Sequence, residues 1–323
     1  MNYNDNYNGN GKFQESNEHV EFLDSLQLQD ISTQGNMSWQ FILRNPVINH
    51  DYISLDEGLK KNKIVISEVS DDGSVPVLKC VNKSDDNILI LSGEEIVGAK
   101  QNRIVIISII VAPNSEVLIP VSCVEQGRWN YESSVFRKGH AAYTDLKRKV
   151  MEDVCHSSDL GQGYASDQSR VWNDIQEKES FFNKRSRTGA MNELYEDYTP
   201  IFEKVFDNID VGNACGICIY INGYVAGIDI FPNNKFLLVS YKDTMLGYYL
   251  ESARYVDNAR PYSTFEKAES FIKYLAKIPS KKSKGVSIGD NLNIISHNTV
   301  GSGLLHQNEM IHLTAHPRER DVY

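Results

Sequence analysis

Residues 91–131 read LSGEEIVGAKQNRIVIISIIVAPNSEVLIPVSCVEQGRWNY, the densest mixture of polar, charged and nucleophilic side chains with buried-strand signals in the chain. The run Ile104–Ala112 and the run Val117–Val121 are predicted strands, and Pro113-Asn114 between them is a turn signal. Polar clusters flank the pair. Glu94, Glu95, Lys100, Gln101, Asn102 and Arg103 precede it; Ser122, Cys123, Glu125, Arg128 and Trp129 follow it. Paired as a hairpin, the two runs bring both clusters to the end away from the turn. Two convergent polar patches on rigid strands suit a binding site. Solvated charges at two strand ends would give the same pattern.

Working outward, Val65–Val121 consists of short β-rich runs closed by turn signals, at the spacing of a β-sandwich or barrel. Upstream, apolar clusters between residues 20 and 60 suggest further strands and a short helix over Leu55–Lys61. After Trp129 the pattern changes to helical periodicity over Thr144–His156, Ser166–Phe182 and Thr188–Phe206, with Pro200 expected to kink or end the third. Asn222-Gly223 between two apolar runs is the strongest hairpin signal. Leu237–Tyr255 and Ser263–Ala276 read as helices, the second opened by a Ser263-x-x-Glu266 capping box, and Gly285–Thr314 returns to strands. The expected class is α+β: a β-sandwich-like region over 19–131, a helical segment over 132–210, and a mixed part over 211–323 packed on the rest. The Asn-rich segment 1–18 is expected to be a disordered tail without the pattern of a secretion signal.

Composition restricts the function classes. A net charge of -10 over 323 residues argues against binding extended nucleic acid, while leaving room for a local basic pocket that holds one nucleotide. No apolar run approaches the ~20 residues that cross a bilayer as a helix. Five scattered cysteines fit reduced thiols, so a cytoplasmic location is expected; homo-oligomerisation is left open.

Several motifs compete for a chemical role. Cys215-x-x-Cys218 lies inside an apolar strand run with no second such pair, and reads as buried small residues. His312 and His316 share a strand face too far apart for one ion, and read as scattered surface histidines, so no metal site is expected. Cys123 has no histidine in its stretch to serve as base, which favours a buried structural thiol over a nucleophile. The better chemical arrangement uses Glu95 or Glu125 as acid or base, Lys100, Arg103 and Arg128 on a phosphate, and Trp129 or Trp172 as a stacking face. Glycine-loop phosphate fingerprints are missing, so nucleotide binding would rest on side chains.

The segments SGEEIVGAKQNR, PVSCVEQGRW, SDQSRVW and GAMNELYE, in this order, resemble the signature of a prokaryotic family named for its association with ADP-ribosylglycohydrolases and rhodanese-phosphatases. The resemblance runs from about Asp51 to the last strands, and the first 50 residues depart from it. Among the matching positions are Glu94, Glu95, Lys100, Gln101, Asn102, Arg103, Cys123, Glu125, Arg128, Trp129, Gln168 and Trp172. It implies a role in NAD or ADP-ribose metabolism, in a setting of conflict between cells and viruses, and fixes neither a reaction nor a cofactor. Two functions are therefore expected in competition. One is binding or hydrolysis of an NAD- or ADP-ribose-derived nucleotide, with Glu95, Glu125 and Cys123 as catalytic candidates and Lys100, Gln101, Asn102, Arg103, Arg128, Trp129, Gln168 and Trp172 as ligand-binding ones. The other is an interaction protein that binds a protein partner and whose polar cluster is a structural network. Exposure of Glu95, Glu125, Arg103 and Arg128 discriminates between them.

Overall fold

Asn222 and Gly223 both adopt positive φ (52° and 81°), which makes the tight turn expected between Gly216–Ile221 and Tyr224–Ile230. Their hairpin lies inside a nine-stranded antiparallel sheet of the computed structural model, which describes residues 14–45, 51–133, 136–256 and 261–318. Its order is Gln14–Ser16, Ser280–Lys284, Asp290–Ile295, Thr299–His306, Glu309–Pro317, Tyr224–Ile230, Gly216–Ile221, Met37–Arg44 and Leu26–Gln34. Strands from the first 45 residues thus close both edges of a sheet built mainly from the last 110. Of the expected tail, residues 1–13 lie outside the described residues, and Gln14–Ser16 is ordered by pairing with Ser280–Lys284.

A six-stranded antiparallel sheet runs Phe136–Ala141, Glu94–Gly98, Arg103–Val105, Ser115–Cys123, Val77–Asn82 and Ile64–Ser67. Ile109–Val111, Asn87–Ile90 and Tyr52–Ser54 make a third sheet of three strands. With seven α-helices among the described residues, the protein is α+β.

The run Ile104–Ala112 is the main departure from the expected hairpin. It breaks at Ile106–Ser108: Arg103–Val105 pairs with Val121–Cys123, while Ile109–Val111 crosses to pair with Ile88–Ile90. Ser108 is the reason. Its buried hydroxyl accepts from the Ser92 backbone amide (3.0 Å) and bonds His312 Nδ1 (2.9 Å), which ties the chain between two sheets. The apolar period alone could not show this polar pivot.

Helices follow their capping chemistry. Asp167 accepts from the Ser169 and Arg170 amides and starts Gln168–Phe181; Asn233 accepts from Phe236 N and starts Asn234–Ser252. Two expectations need correcting. Thr188–Phe206 is split into the 3₁₀ turn Met191–Tyr195 and the helix Tyr198–Val205, whose first turn holds Pro200, where the missing N–H costs little. The helix expected from Ser263 begins instead at Ala268, because the Ser263 hydroxyl accepts from Phe265 N in a local turn.

One large core joins the sheets: Ile88, Ile96 and Ile104 belong to the same buried cluster as Ile217, Ile219 and Leu246. Helix Ala268–Leu275 covers a second cluster, where Phe271 and Leu275 pack with Ile228, Leu292 and Leu313. Side chains of this size, fully buried, each contribute roughly 1.5–3 kcal/mol. Helix Asn234–Ser252 packs against the edge strand Phe136–Ala141, which pairs with Glu94–Gly98.

Candidate functional site

The two polar clusters of residues 91–131 do meet. Arg103 lies opposite Cys123 in the ladder, and beyond that pair the chains exchange side-chain bonds. Glu125 Oε2 accepts from Asn102 N (3.1 Å) and from Arg128 Nη2 (2.6 Å); Oε1 accepts from Arg128 Nε (2.9 Å) and Thr188 Oγ1 (2.8 Å). Burial opposes the Glu125 charge, yet the bonds from Arg128, Thr188 and Asn102 hold its carboxyl below the usual range. Gln101 Nε2 donates to Glu125 O (2.9 Å), and Arg128 also donates to Ala99 O and Asn102 Oδ1. Gln168 spans the Cys123 backbone like a neighbouring strand, accepting from its N–H (2.8 Å) and donating to its C=O (2.7 Å).

Around this network the remaining candidates take different places. Cys123 is buried, its thiol donating to Gln101 Oε1 (3.1 Å), and burial pushes its pKa up. Arg103 is fully buried; one Nη donates to Gln101 Oε1, whereas Nε and the other Nη have no hydrogen-bond partner. Trp129, 41% exposed, covers the Arg103 guanidinium (5.6 Å) and Lys100 Nζ (5.4 Å). Trp172 Nε1 is buried without a hydrogen-bond partner. Glu125, Arg128, Asn102 and Gln101 therefore form one internally paired cluster, and none of them lines either cavity of the cleft described next.

That cleft draws on elements far apart in sequence. Glu94 comes from strand Glu94–Gly98, Lys138 and His140 from Phe136–Ala141, Lys147 from helix Thr144–Asp159, and Asp243 and Tyr248 from helix Asn234–Ser252. Asp229, His312 and His316 come from adjacent sheet strands, where Asp229 faces Thr314 in register and the histidines flank it at period two. The inner part is a chamber of about 40 Å³. One water needs roughly 10–15 Å³, so a few waters fit there and a sugar does not. The outer part is an open basin of about 550 Å³ bearing Arg137, Lys138, His140 and Lys242 beside Asp56, Glu196 and Asp243. Lys138 and Asp243 border both.

Chamber electrostatics follow from burial. Asp229 accepts from Lys147 Nζ (2.5 Å) and Tyr248 OH (2.9 Å). Burial opposes its charge, but Lys147 outweighs that and keeps its carboxyl low. Burial, reinforced by Lys147, pushes His312 down to about 3 and His316 to about 4, so both rings are neutral. They are interior groups, contrary to their reading as surface histidines. Burial raises Glu94 to about 7, against the pull of Lys138, and Oε2 accepts from Leu91 N (2.8 Å). Gly227 makes room for this packing: a Cβ there would lie 2.3 Å from Tyr248 OH and 2.5 Å from His316 Nδ1.

Glu95 points to the opposite face of its strand from Glu94. It sits beneath Gly139, where an added Cβ would be 2.2 Å from Oε2, and neither carboxylate oxygen has a hydrogen-bond partner. Burial raises it to about 8, with the His140 backbone amide pulling the other way.

Sequence reading missed Lys138, His140, Lys147, Asp229 and Asp243. A signal existed for Asp229, a lone carboxylate in the apolar run VAGIDIF, and for His312, flanked by Ile311 and Leu313 in a strand buried on both faces. All five cysteines, including Cys215 and Cys218, are free and buried, and no grouping of metal-ligating side chains occurs among the described residues.

No curated protein and no solved structure matches the chain. A family model described as ARPP-1, ARG and Rhodanese-Phosphatase-superfamily-associated Protein domain, matches residues 25–316. The match begins well before Asp51 and takes in the edge strand Leu26–Gln34 and its neighbour Met37–Arg44, which corrects the expected start of the resemblance. The chain belongs to the ARG and Rhodanese-Phosphatase-superfamily-associated Protein family.

Proposed function

We infer that the protein binds an NAD- or ADP-ribose-derived nucleotide in the outer basin and hydrolyses it with water from the inner chamber. The carrying observation is the contact between an open basin lined by Arg137, Lys138 and Lys242 and a water-sized chamber that contains a carboxyl with a pKa of about 7. In a chain of net charge -10, Arg137, Lys138 and Lys242 offset Asp56, Glu196 and Asp243 in the basin and supply cationic donors where phosphates would be held. The basin volume falls within the range of ligand pockets. Glu94 suits a general base, because proton transfer is most efficient from a group that titrates near the working pH. The ADP-ribose context comes from the family's description, whose ARG denotes ADP-ribosylglycohydrolase.

This reading moves the chemistry away from the cluster around Glu125. Full pairing there supports the structural-network alternative for Gln101, Asn102, Glu125 and Arg128, which would brace the strands beneath the cleft. Glu95 stays close to the ligand's place, below the basin floor.

Thermal unfolding against NAD, ADP-ribose, cyclic ADP-ribose and AMP, with and without divalent cations, tests the proposal. A ligand at ~100 times its Kd stabilises the fold by ~2.7 kcal/mol, a clear midpoint shift. The expected result is a shift with at least one nucleotide, lost in Arg137→Ala/Lys242→Ala and retained in Glu94→Gln, which binds without turnover. No shift with any of them removes the nucleotide reading and leaves the protein-partner alternative.

A further inference from the structure

Asp243 reaches from its helix to two groups at once. One carboxylate oxygen accepts from Lys138 Nζ, and the other lies 3.4 Å from His140 Nδ1. A carboxylate can only accept, so Nδ1 carries the proton in this contact and Nε2 is the ring nitrogen left to exchange one. The His140 ring is held on its other side by Tyr195, 5.0 Å between centroids, and its side chain is 36% exposed in the basin. Carboxylate, imidazole and open basin form the arrangement of an oriented acid–base histidine. Catalytic hydrogen bonds are often this long before substrate binds.

We propose that His140 is a catalytic acid–base residue of the basin and that Asp243 is its positioning residue. The dyad rests on geometry alone; its role in turnover rests on the hydrolytic reading above. In that role the electron pair of the cleaved bond passes to the leaving oxygen or nitrogen, which takes the Nε2 proton of protonated His140. The chamber water bonds to the attacked atom and gives its proton to Glu94. One water is consumed, and a proton moved from His140 is balanced by one gained at Glu94. Glu94 lines only the chamber and His140 only the basin, and Lys138 lines both, so the base and the acid face different cavities.

The test has two arms. The first needs no substrate: acylation by diethyl pyrocarbonate, read residue by residue by mass spectrometry. His140 should label faster than the exposed His156 and His297, Asp243→Asn should remove that advantage, and Asp243→Glu should restore part of it. Equal or slower labelling of His140 in the wild type, or no response to Asp243→Asn, overturns the dyad. The second arm measures turnover of whichever nucleotide shifts the unfolding midpoint. His140→Ala should lose ~10²–10⁴ in kcat with the midpoint shift intact, and added imidazole should restore part of the rate. Undiminished turnover in His140→Ala, while Glu94→Gln is inactive, overturns the catalytic role and leaves the hydrolytic reading standing. A wild-type protein that binds no nucleotide removes the hydrolytic reading, and the labelling arm still decides the dyad.

Discussion

Lys138 donates to Asp243 across the boundary between chamber and basin, so one ion pair joins the six-stranded sheet to helix Asn234–Ser252 at the point where the two cavities touch. Burial opposes the Lys138 charge, but Glu94 and Asp243 together raise its pKa. The same ammonium is the main charge that favours ionised Glu94. Lys138→Met is therefore expected to push the Glu94 carboxyl above its value of about 7. Carbon-detected NMR of labelled glutamate across pH 5–9 checks this; an unchanged midpoint would mean that solvent, rather than Lys138, sets the Glu94 charge.

Gly139 has no room for a side chain. A Cβ would lie 2.2 Å from Glu95 Oε2 and 2.6 Å from Val97 Cγ2. Gly139→Ala should cost about 2 kcal/mol or more in urea unfolding, by overpacking a buried position. Because the closest clash is with one carboxylate, the cost should shrink in a Glu95→Ala background. An additive double-mutant cycle would locate the strain elsewhere.

Arg128 and Glu125 make the best-satisfied buried pair in the 91–131 stretch. Arg128→Ala leaves Glu125 buried with its charge uncompensated, at an expected cost of about 3 kcal/mol or more. Removing both, as Glu125→Ala/Arg128→Ala, should cost less than removing Arg128 alone. Equal costs would show that Arg128 acts through its bonds to Ala99 O and Gly98 O instead.

What the sequence disclosed and what it hid divide by distance along the chain. Asn222-Gly223, Asp167 and the convergence of Asn102 with Glu125 were legible because turn chemistry, capping and strand-end proximity are local. Lys138, Asp243 and Asp229 were not: their partners lie 105 residues apart for Lys138–Asp243 and 82 for Lys147–Asp229, and no period or spacing encodes such pairs. Ser108 lies between these cases. A single hydroxyl in IVIISIIVA is compatible with an unbroken strand, and only its contacts to Ser92 and His312 make it a pivot between sheets.

His312 and His316 give the cleft its own response to acid. Burial lowers both, to about 3 and about 4, from the ordinary histidine value of about 6.5. Between those values the unfolded chain binds more protons than the folded one, so stability rises with pH there and is lost as pH falls from about 6.5 towards 3. The charge of Lys147 beside them adds to the penalty of protonation. His312→Gln/His316→Gln should flatten this limb of the stability–pH curve, while leaving the neutral-pH value lower through lost packing against Phe231 and Tyr248. Urea midpoints from pH 4 to pH 8 for both proteins provide the check. Parallel curves would mean that the rings protonate without breaking the chamber, and that waters admitted there carry the charge.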